Sequence, residues 1–406
     1  MSKLNDNDCL ASLVLVVDAL DECDSNDNIR IIVRLLAEAR SPTRARLRVL
    51  LTSRPEVPIR HGFYDIPDSK HQDVVLHNIS RSIVDHDIAL FLQHKFQLIA
   101  QECYLDAGWP GVEIITQLAQ SASGLFIWAA TACRFIQEGG QFVADRLRII
   151  LKDNSSPDSN SLKDNSSSED SCTDERFEIL PEQRLDSIYL TVLKSPIRKY
   201  RKQERKRWYT LIRETLGAIV LLQSTLSASS LSQLLRVPAE DVHRTLHELH
   251  SIVDVPHDPN RPVRLHHPSF RDFLLDKKRC GNDSFWVDKK QAHKALAHNC
   301  ITLMSSSLKQ DICGIGVPGA LLAEMEPTLL EQCLPKELQY ACLYWINHLA
   351  KSGAKLCDND NVHTFLKKHC LHWIEALGWM GKVSEGIHAI SSLELITRVS
   401  HFHYTL

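Results

Sequence analysis

Two short apolar runs, Leu13–Val17 and Leu47–Leu51, each stopping abruptly at polar residues, constrain this chain more than any other feature. The first is continuous, the second is broken only by Arg48, and both are too short for an ordinary helix. Both therefore predict strands buried on two sides. Between them, Ile29, Ile32, Leu35, Leu36 and Ala39 recur at three- and four-residue spacing, which predicts an amphipathic helix. Strand, helix and strand in immediate succession read as a right-handed βαβ unit with parallel strands. Ligands of such sheets sit beyond the carboxyl ends of the strands. That rule sets Asp18, Asp21 and Glu22 opposite Thr52, Ser53 and Arg54 across one crevice.

These residue types carry a specific chemistry. An aspartate closing a hydrophobic strand can hold Mg²⁺ through water, and a neighbouring acid can orient an attacking water. An arginine can sense a terminal phosphate or stabilise its developing charge. The same acids also suit the N-terminus of the helix that follows, through capping and the helix dipole. Spacing alone supports the two readings equally.

Composition narrows the setting. With 47 Lys+Arg against 50 Asp+Glu, the formal net charge is −3, unlike the strongly basic balance of dedicated nucleic-acid binders. The opening MSKLNDND is polar and acidic, unlike a secretory signal. The apolar runs fall far short of the ~18 residues that span a bilayer. Twelve cysteines without a C-x-x-C pair predict reduced thiols and a cytoplasmic location. The length of 406 residues suits two or three domains. The stretch LKDNSSPDSNSLKDNSSSEDSCTDER from Leu151 to Arg176 is nearly free of apolar residues and repeats LKDNSS, which predicts a disordered linker over 151–180. No repeat of solenoid or propeller length is present.

Beyond that stretch the pattern turns helical. Trp208–Leu222 predicts a helix, Ser227 and Ser229-Ser230 cap a second, and Pro238 opens a third with Val242, Leu246 and Leu249 on one face. Ile252–Val255 and Val263–Leu265 flank the turn-rich residues 257–262, predicting a hairpin. Helix, helix and hairpin form a winged-helix pattern, which in isolation suggests DNA binding. The basic run from Arg198 to Trp208 reads either as a nucleic-acid patch or, more simply, as the solvated start of a helix. His243 and His247 stand at i, i+4, yet no third ligand accompanies them, and His247-Glu248-Leu249-His250 lacks the H-E-x-x-H spacing of metalloproteases. His369 and His372 fall in an apolar helix and read as core edge. Residues from Lys289 onward predict several amphipathic helices.

Particular words add a family resemblance. Val-Val-Asp-Ala-Leu-Asp-Glu-Cys at 16–23, followed by Leu-Leu-Thr-Ser-Arg-Pro-Glu at 50–56, resembles the NACHT subgroup of signalling NTPases. Most similar are the fungal NOD-like receptors of the STAND class associated with heterokaryon incompatibility. The resemblance continues through His77-Asn78-Ile79, Asp87–Leu92, Gly124–Ala129 and Leu185–Tyr189. It implies an α/β region followed by a mostly α chain: a partial P-loop NTPase sheet over 1–84 and a helical lid over 85–150. A winged helix at 181–280 and a C-terminal helical region at 281–406 follow the linker. It implies ATP/ADP and Mg²⁺ as cofactors, with Asp18 as the metal-site carboxylate and Glu22 and Asp21 as catalytic acids. Arg54 and Ser53 would meet the γ-phosphate. His267, which matches the family's H-x-S-F spacing where His266 does not, would meet the β-phosphate of ADP. Homo- or hetero-oligomers with full-length NACHT proteins are the implied partners, with no membrane, and nucleic acid is disfavoured.

One family motif is missing. The sequence contains no G-x-x-x-x-G-K-[ST] loop, and its single Gly-Lys pair, Gly381-Lys382, is followed by Val383. That loop supplies most of the phosphate grip through backbone amides and its lysine. The expectation is therefore an N-terminally truncated receptor that binds nucleotide weakly and hydrolyses it negligibly. The rival expectations are a non-catalytic scaffold that binds an intact relative and, more weakly, a winged-helix nucleic-acid binder.

Overall fold

The computed structural model describes residues 11–23, 26–39, 45–64, 66–155, 180–256, 258–281, 284–316 and 327–401. They divide into two compact units, Met1–Ser80 and Arg81–Leu406.

The first unit holds β1 (Ala11–Val17), α1 (Asn26–Glu38), β2 (Ala45–Leu51) and α2 (Val57–Tyr64). β1 and β2 pair in parallel, Leu13 opposite Leu47 and Val17 opposite Leu51. All three expected elements are present. Each begins two or three residues before its apolar pattern, because backbone bonding extends past the last apolar side chain. The expectation that both strands are buried fails. Leu13 on one face is 54% exposed and Val16 on the other 59%. The helices do not cover the middle of the sheet. Instead α1 and α2 pack on each other around Leu20, Ile29, Val33 and Ile59, with Val17 and Leu51 at the strand ends partly buried against that cluster. Gly62 permits the close approach, since a Cβ there would lie 3.3 Å from the Val33 Cβ. The faces of this two-stranded sheet therefore stay open among the described residues.

The second unit is mostly helical. α3 (Arg81–Glu102), α4 (Val112–Ala122), α5 (Phe126–Gln137) and α6 (Val143–Ser155) come first. On α3, Ile88, Leu92, Phe96 and Ile99 form a fully buried stripe, the spacing of one helical face. Leu151–Ser155, expected in the linker, instead form the end of α6, and residues 156–179 of that linker lie outside the described residues. α7 (Pro181–Lys194) follows, with Pro181 at its first position and the Leu180 N–H donating to Gln183 Oε1 at 3.2 Å.

Next come α8 (Lys202–Leu221), α9 (Ala228–Leu235) and α10 (Ala239–His247), then β3 (Val253–Asp254) paired antiparallel with β4 (Arg264–Leu265). The order of helices and hairpin is the expected one. Ser227 caps α9 by accepting the Ser230 N–H at 3.2 Å. α11 (Ser269–Leu275) and α12 (Lys277–Cys280) close this segment. α13 (Lys289–Ser307), α14 (Pro327–Cys333), α15 (Lys336–Ser352), α16 (Asn361–Trp379) and α17 (Val383–His401) complete the chain. No helix among the described residues is long and apolar enough to cross a membrane.

Two kinds of polar contact bind the second unit across long sequence separations. Arg279 reaches α7, donating to both carboxylate oxygens of Asp186 at 2.8 and 3.2 Å, and Arg134 Nε on α5 donates to the Ser251 carbonyl at 3.1 Å. Deeper inside, a hydrogen-bond chain joins three segments. The Gln223 N–H donates to Tyr340 Oη at 3.2 Å, Tyr340 Oη lies 2.6 Å from His348 Nε2, and His348 Nδ1 lies 2.8 Å from His293 Nδ1. With both rings neutral, either Tyr340 donates to Nε2 and His348 Nδ1 donates to His293, or His293 Nδ1 donates to His348 and His348 Nε2 donates to Tyr340 Oη, which has a lone pair beyond the one that takes the amide.

Burial, the neighbouring His293 and Lys351 push His348 down to about 3 from 6.5. Burial, with Lys351, Arg271 and Lys289, pushes His293 down to about 4. Below pH 6.5 the unfolded chain therefore takes up protons that the folded chain refuses. Each ring steepens the loss of stability by up to about 1.4 kcal/mol per pH unit until it protonates in place. We expect the thermal unfolding midpoint to fall steeply from pH 6.5 to about 4, and a His293→Asn/His348→Gln variant to show a shallower dependence. Equal slopes in the two proteins would contradict this account.

Candidate functional site at the carboxyl ends of the parallel strands

Parallel pairing brings Val17 and Leu51 side by side, so the residues that follow them meet. Their backbones are tied directly. The Thr52 N–H donates to the Val17 carbonyl at 2.9 Å and the Leu20 N–H returns to the Thr52 carbonyl at 3.0 Å. Ala19 turns the chain sharply between these bonds with a left-handed φ of 52°. Its N–H donates to Thr52 Oγ1 at 2.9 Å, and the same hydroxyl donates to Asp18 Oδ1. One threonine thus orients the strand-end aspartate of its neighbour.

A second tie lies one step further out. Asp21 Oδ1 accepts the Arg54 N–H at 2.9 Å and its Oδ2 lies 3.5 Å from Arg54 Nε. The Asp21 side chain is 8% exposed and that of Arg54 40%. Asp21, expected beside Glu22 as a catalytic acid, faces Arg54 and fixes where that guanidinium projects. Glu22 ends the single-turn helix Leu20–Glu22 and is exposed, as is Asp18, while Ser53 is half-buried. The structure thus gathers Asp18, Asp21, Glu22, Ser53 and Arg54 at one edge.

His267 belongs to the second unit, where it precedes α11. Its Nδ1 accepts the Ser269 N–H at 3.2 Å and lies 2.6 Å from Ser269 Oγ. Ser269 Oγ is in turn 2.8 Å from Tyr189 Oη. Because a backbone N–H can only donate, Nδ1 carries no proton, and the neutral ring holds its proton on Nε2. The adjacent His266 is committed elsewhere, its Nε2 donating to the His250 carbonyl at 2.9 Å. Burial pushes this ring below its ordinary value.

Sequence reasoning grouped Thr52 only with the residues facing the crevice and assigned nothing to Tyr189 or Ser269 beyond their motifs. A threonine directly after an apolar strand, opposite an aspartate in the same position, was the available signal for Thr52. Nothing in the pattern joined Tyr189 to Ser269, which are 80 residues apart.

Comparisons with known proteins bear on the family. A family described as Nephrocystin 3, N-terminal, matches residues 1–54, a span that runs through both strands to Arg54. The Vegetative incompatibility protein HET-E-1 of Podospora anserina is 25% identical over 410 residues, covering 94% of this chain. The chain spans about a quarter of that relative, 26% of its length. Both similarities support a NACHT-related family.

The Asp21 clamp makes a direct prediction. Asp21→Ala leaves the Arg54 amide without its acceptor and should destabilise the first unit by about 1–3 kcal/mol. Limited proteolysis should then cut residues 45–64 faster, whereas Glu22→Ala should not alter the cleavage rate. Equal cleavage rates in the Asp21 variant and the parent would refute the clamp.

Proposed function

We propose that this chain is a segment of a fungal NACHT-type signal-transduction ATPase of the heterokaryon incompatibility class, carrying a remnant nucleotide site. The observation that carries this reading is the Thr52–Asp18 and Asp21–Arg54 pairing. It aims one carboxylate and one guanidinium outward from the shared ends of two parallel strands. In this reading Asp18 holds Mg²⁺, Arg54 with Ser53 meets the γ-phosphate, Glu22 orients water, and Asp21 serves by positioning Arg54. His267, with its proton on Nε2, suits a contact to the β-phosphate of ADP.

The residues fit part of such a ligand. Asp18 is an exposed oxygen donor, but no cluster of three or more His, Cys, Asp or Glu able to hold a metal occurs among the described residues. Mg²⁺ here would lean on water and phosphate oxygens, its usual preference. The phosphates find one arginine and no glycine-rich loop anywhere in the sequence. When bound, Mg²⁺ would neutralise phosphate charge. The chain's own residues orient the ligand's terminal end without enclosing it, which supports weak binding and negligible hydrolysis by this chain alone.

A second reading rests on a separate observation. The apolar side chains of β1 and β2 stay exposed on both faces, which suits a non-catalytic scaffold that pairs with an intact relative in a cytoplasmic homo- or hetero-oligomer. Nucleic-acid binding through the helix–helix–hairpin segment is disfavoured by charge. The first turn of α10, the part that would enter a groove in a winged helix, carries Glu240 and Asp241.

Calorimetric titration with Mg-ADP and Mg-ATP separates these readings. A remnant site predicts dissociation constants no tighter than about 10 µM, or about −7 kcal/mol, weakened further by Arg54→Ala. Sub-micromolar binding would overturn the remnant reading. Absence of binding at millimolar nucleotide would favour the scaffold.

A further inference from the structure

Away from the strand ends, the first unit holds a cavity of about 410 Å³ between α1 and α2, within the range of small-molecule sites. Its walls share no residue with the strand-end site. Arg30 and Arg34 line it from α1, His61 from α2, and Lys70 from the turn beyond, and Glu38 is the single carboxylate that lines it among the described residues. Ile31 from α1 and Gly62 from α2 contribute apolar and small surface. None of the basic side chains makes an ion pair among the described residues, and Arg30, Arg34 and Lys70 are exposed.

This arrangement works against the fold that carries it. Like charges at i, i+4 destabilise a helix by a few tenths of a kcal/mol, and Arg30 and Arg34 stand at that spacing. Among the described residues the opposite wall adds Lys70 and no compensating acid. A concave surface lined by one sign of charge concentrates counter-ions of the other. Two guanidinium forks on successive turns of one helix match phosphate oxygens bidentately, and a lysine across the gap adds a point charge. The close packing of α1 on α2 at Gly62 braces both walls, since a Cβ there would press on Val33 at 3.3 Å.

We propose that the cavity between α1 and α2 binds a compact anion carrying two or more phosphate groups, gripped by Arg30 and Arg34 on one wall and Lys70 on the other. The site is independent of the nucleotide reading at the strand ends. A soluble polyphosphorylated molecule and a phosphorylated lipid headgroup present the same chemistry.

The test uses the full chain and inorganic tripolyphosphate as probe, followed by calorimetry at physiological salt. The parent should bind, and Arg30→Gln/Arg34→Gln should weaken binding about tenfold or more, the loss expected for charge-assisted phosphate contacts. Lys70→Gln, on the other wall, should weaken it independently. Arg30→Lys/Arg34→Lys keeps the charge and loses the forks, so it should bind in between. Circular dichroism confirms that each variant is folded. Co-sedimentation with phosphatidylcholine vesicles, with and without phosphatidylinositol bisphosphate, separates the sources. Retention by the phosphorylated vesicles that tripolyphosphate competes away assigns the headgroup, and binding to tripolyphosphate alone assigns a soluble ligand. Binding of neither, or binding that the Arg30/Arg34 and Lys70 variants leave unchanged, overturns the proposal. Loss of tripolyphosphate binding in Arg54→Ala alone would assign the anion to the strand ends and equally overturn it.

Discussion

The first unit depends on the tie between the carboxyl ends of two parallel strands. Thr52 is the centre of that tie: its amide bonds Val17, its carbonyl accepts from Leu20, and its hydroxyl bridges the Ala19 amide and the Asp18 carboxylate. Those contacts hold Leu20 over the small cluster of Ile29, Val33 and Ile59. They also set the turn from which Asp21 reaches Arg54. Chemistry and folding therefore share the same few atoms. A carboxylate that would serve a metal is oriented by the hydroxyl that locks the strands, and a guanidinium that would meet phosphate is held by a buried acid.

The second constraint is the lack of cover on the sheet among the described residues. Parallel strands with apolar residues on both sides ordinarily lie inside α/β folds. Here α1 and α2 pack near the strand ends instead, and Leu13, Val14, Leu15 and Val16 remain exposed. This explains why the remnant-site and scaffold readings coexist. Asp18 and Arg54 stand together at the strand ends, which supports the first reading, and the exposed apolar side chains of the sheet support the second. The second unit has the opposite character. Its helices share one continuous core, and contacts such as Arg279 with Asp186 and Arg134 with the Ser251 carbonyl tie distant segments together.

Much of this was legible in the residues, for identifiable reasons. The runs at 13–17 and 47–51 and the helical spacing at 29–39 depend on local periodicity, and the structure carries all three elements. Ser227, Pro238 and the hairpin around 257–262 follow from capping and turn chemistry, which is equally local. Burial of the strands was misjudged because an apolar run reports what a strand prefers to touch, not whether anything is there to touch it. The His293–His348–Tyr340 chain was invisible because its histidines lie 55 residues apart and share no motif. Asp21 is expected as a catalytic acid beside Glu22, and the contact of its side chain with Arg54 is not legible in the sequence because the two lie 33 residues apart. The basic cavity hid in plain view, as Arg30 and Arg34 resemble any polar face until His61 and Lys70 are brought opposite.

The central claim is that the Thr52–Asp18 and Asp21–Arg54 contacts present a site for the phosphate end of a nucleotide. Hydrogen–deuterium exchange with and without Mg-ATP measures this most directly. The account predicts slowed exchange in the peptides that carry Asp18–Glu22 and Thr52–Arg54. Unchanged exchange there at millimolar Mg-ATP, or protection confined to other segments, would contradict it.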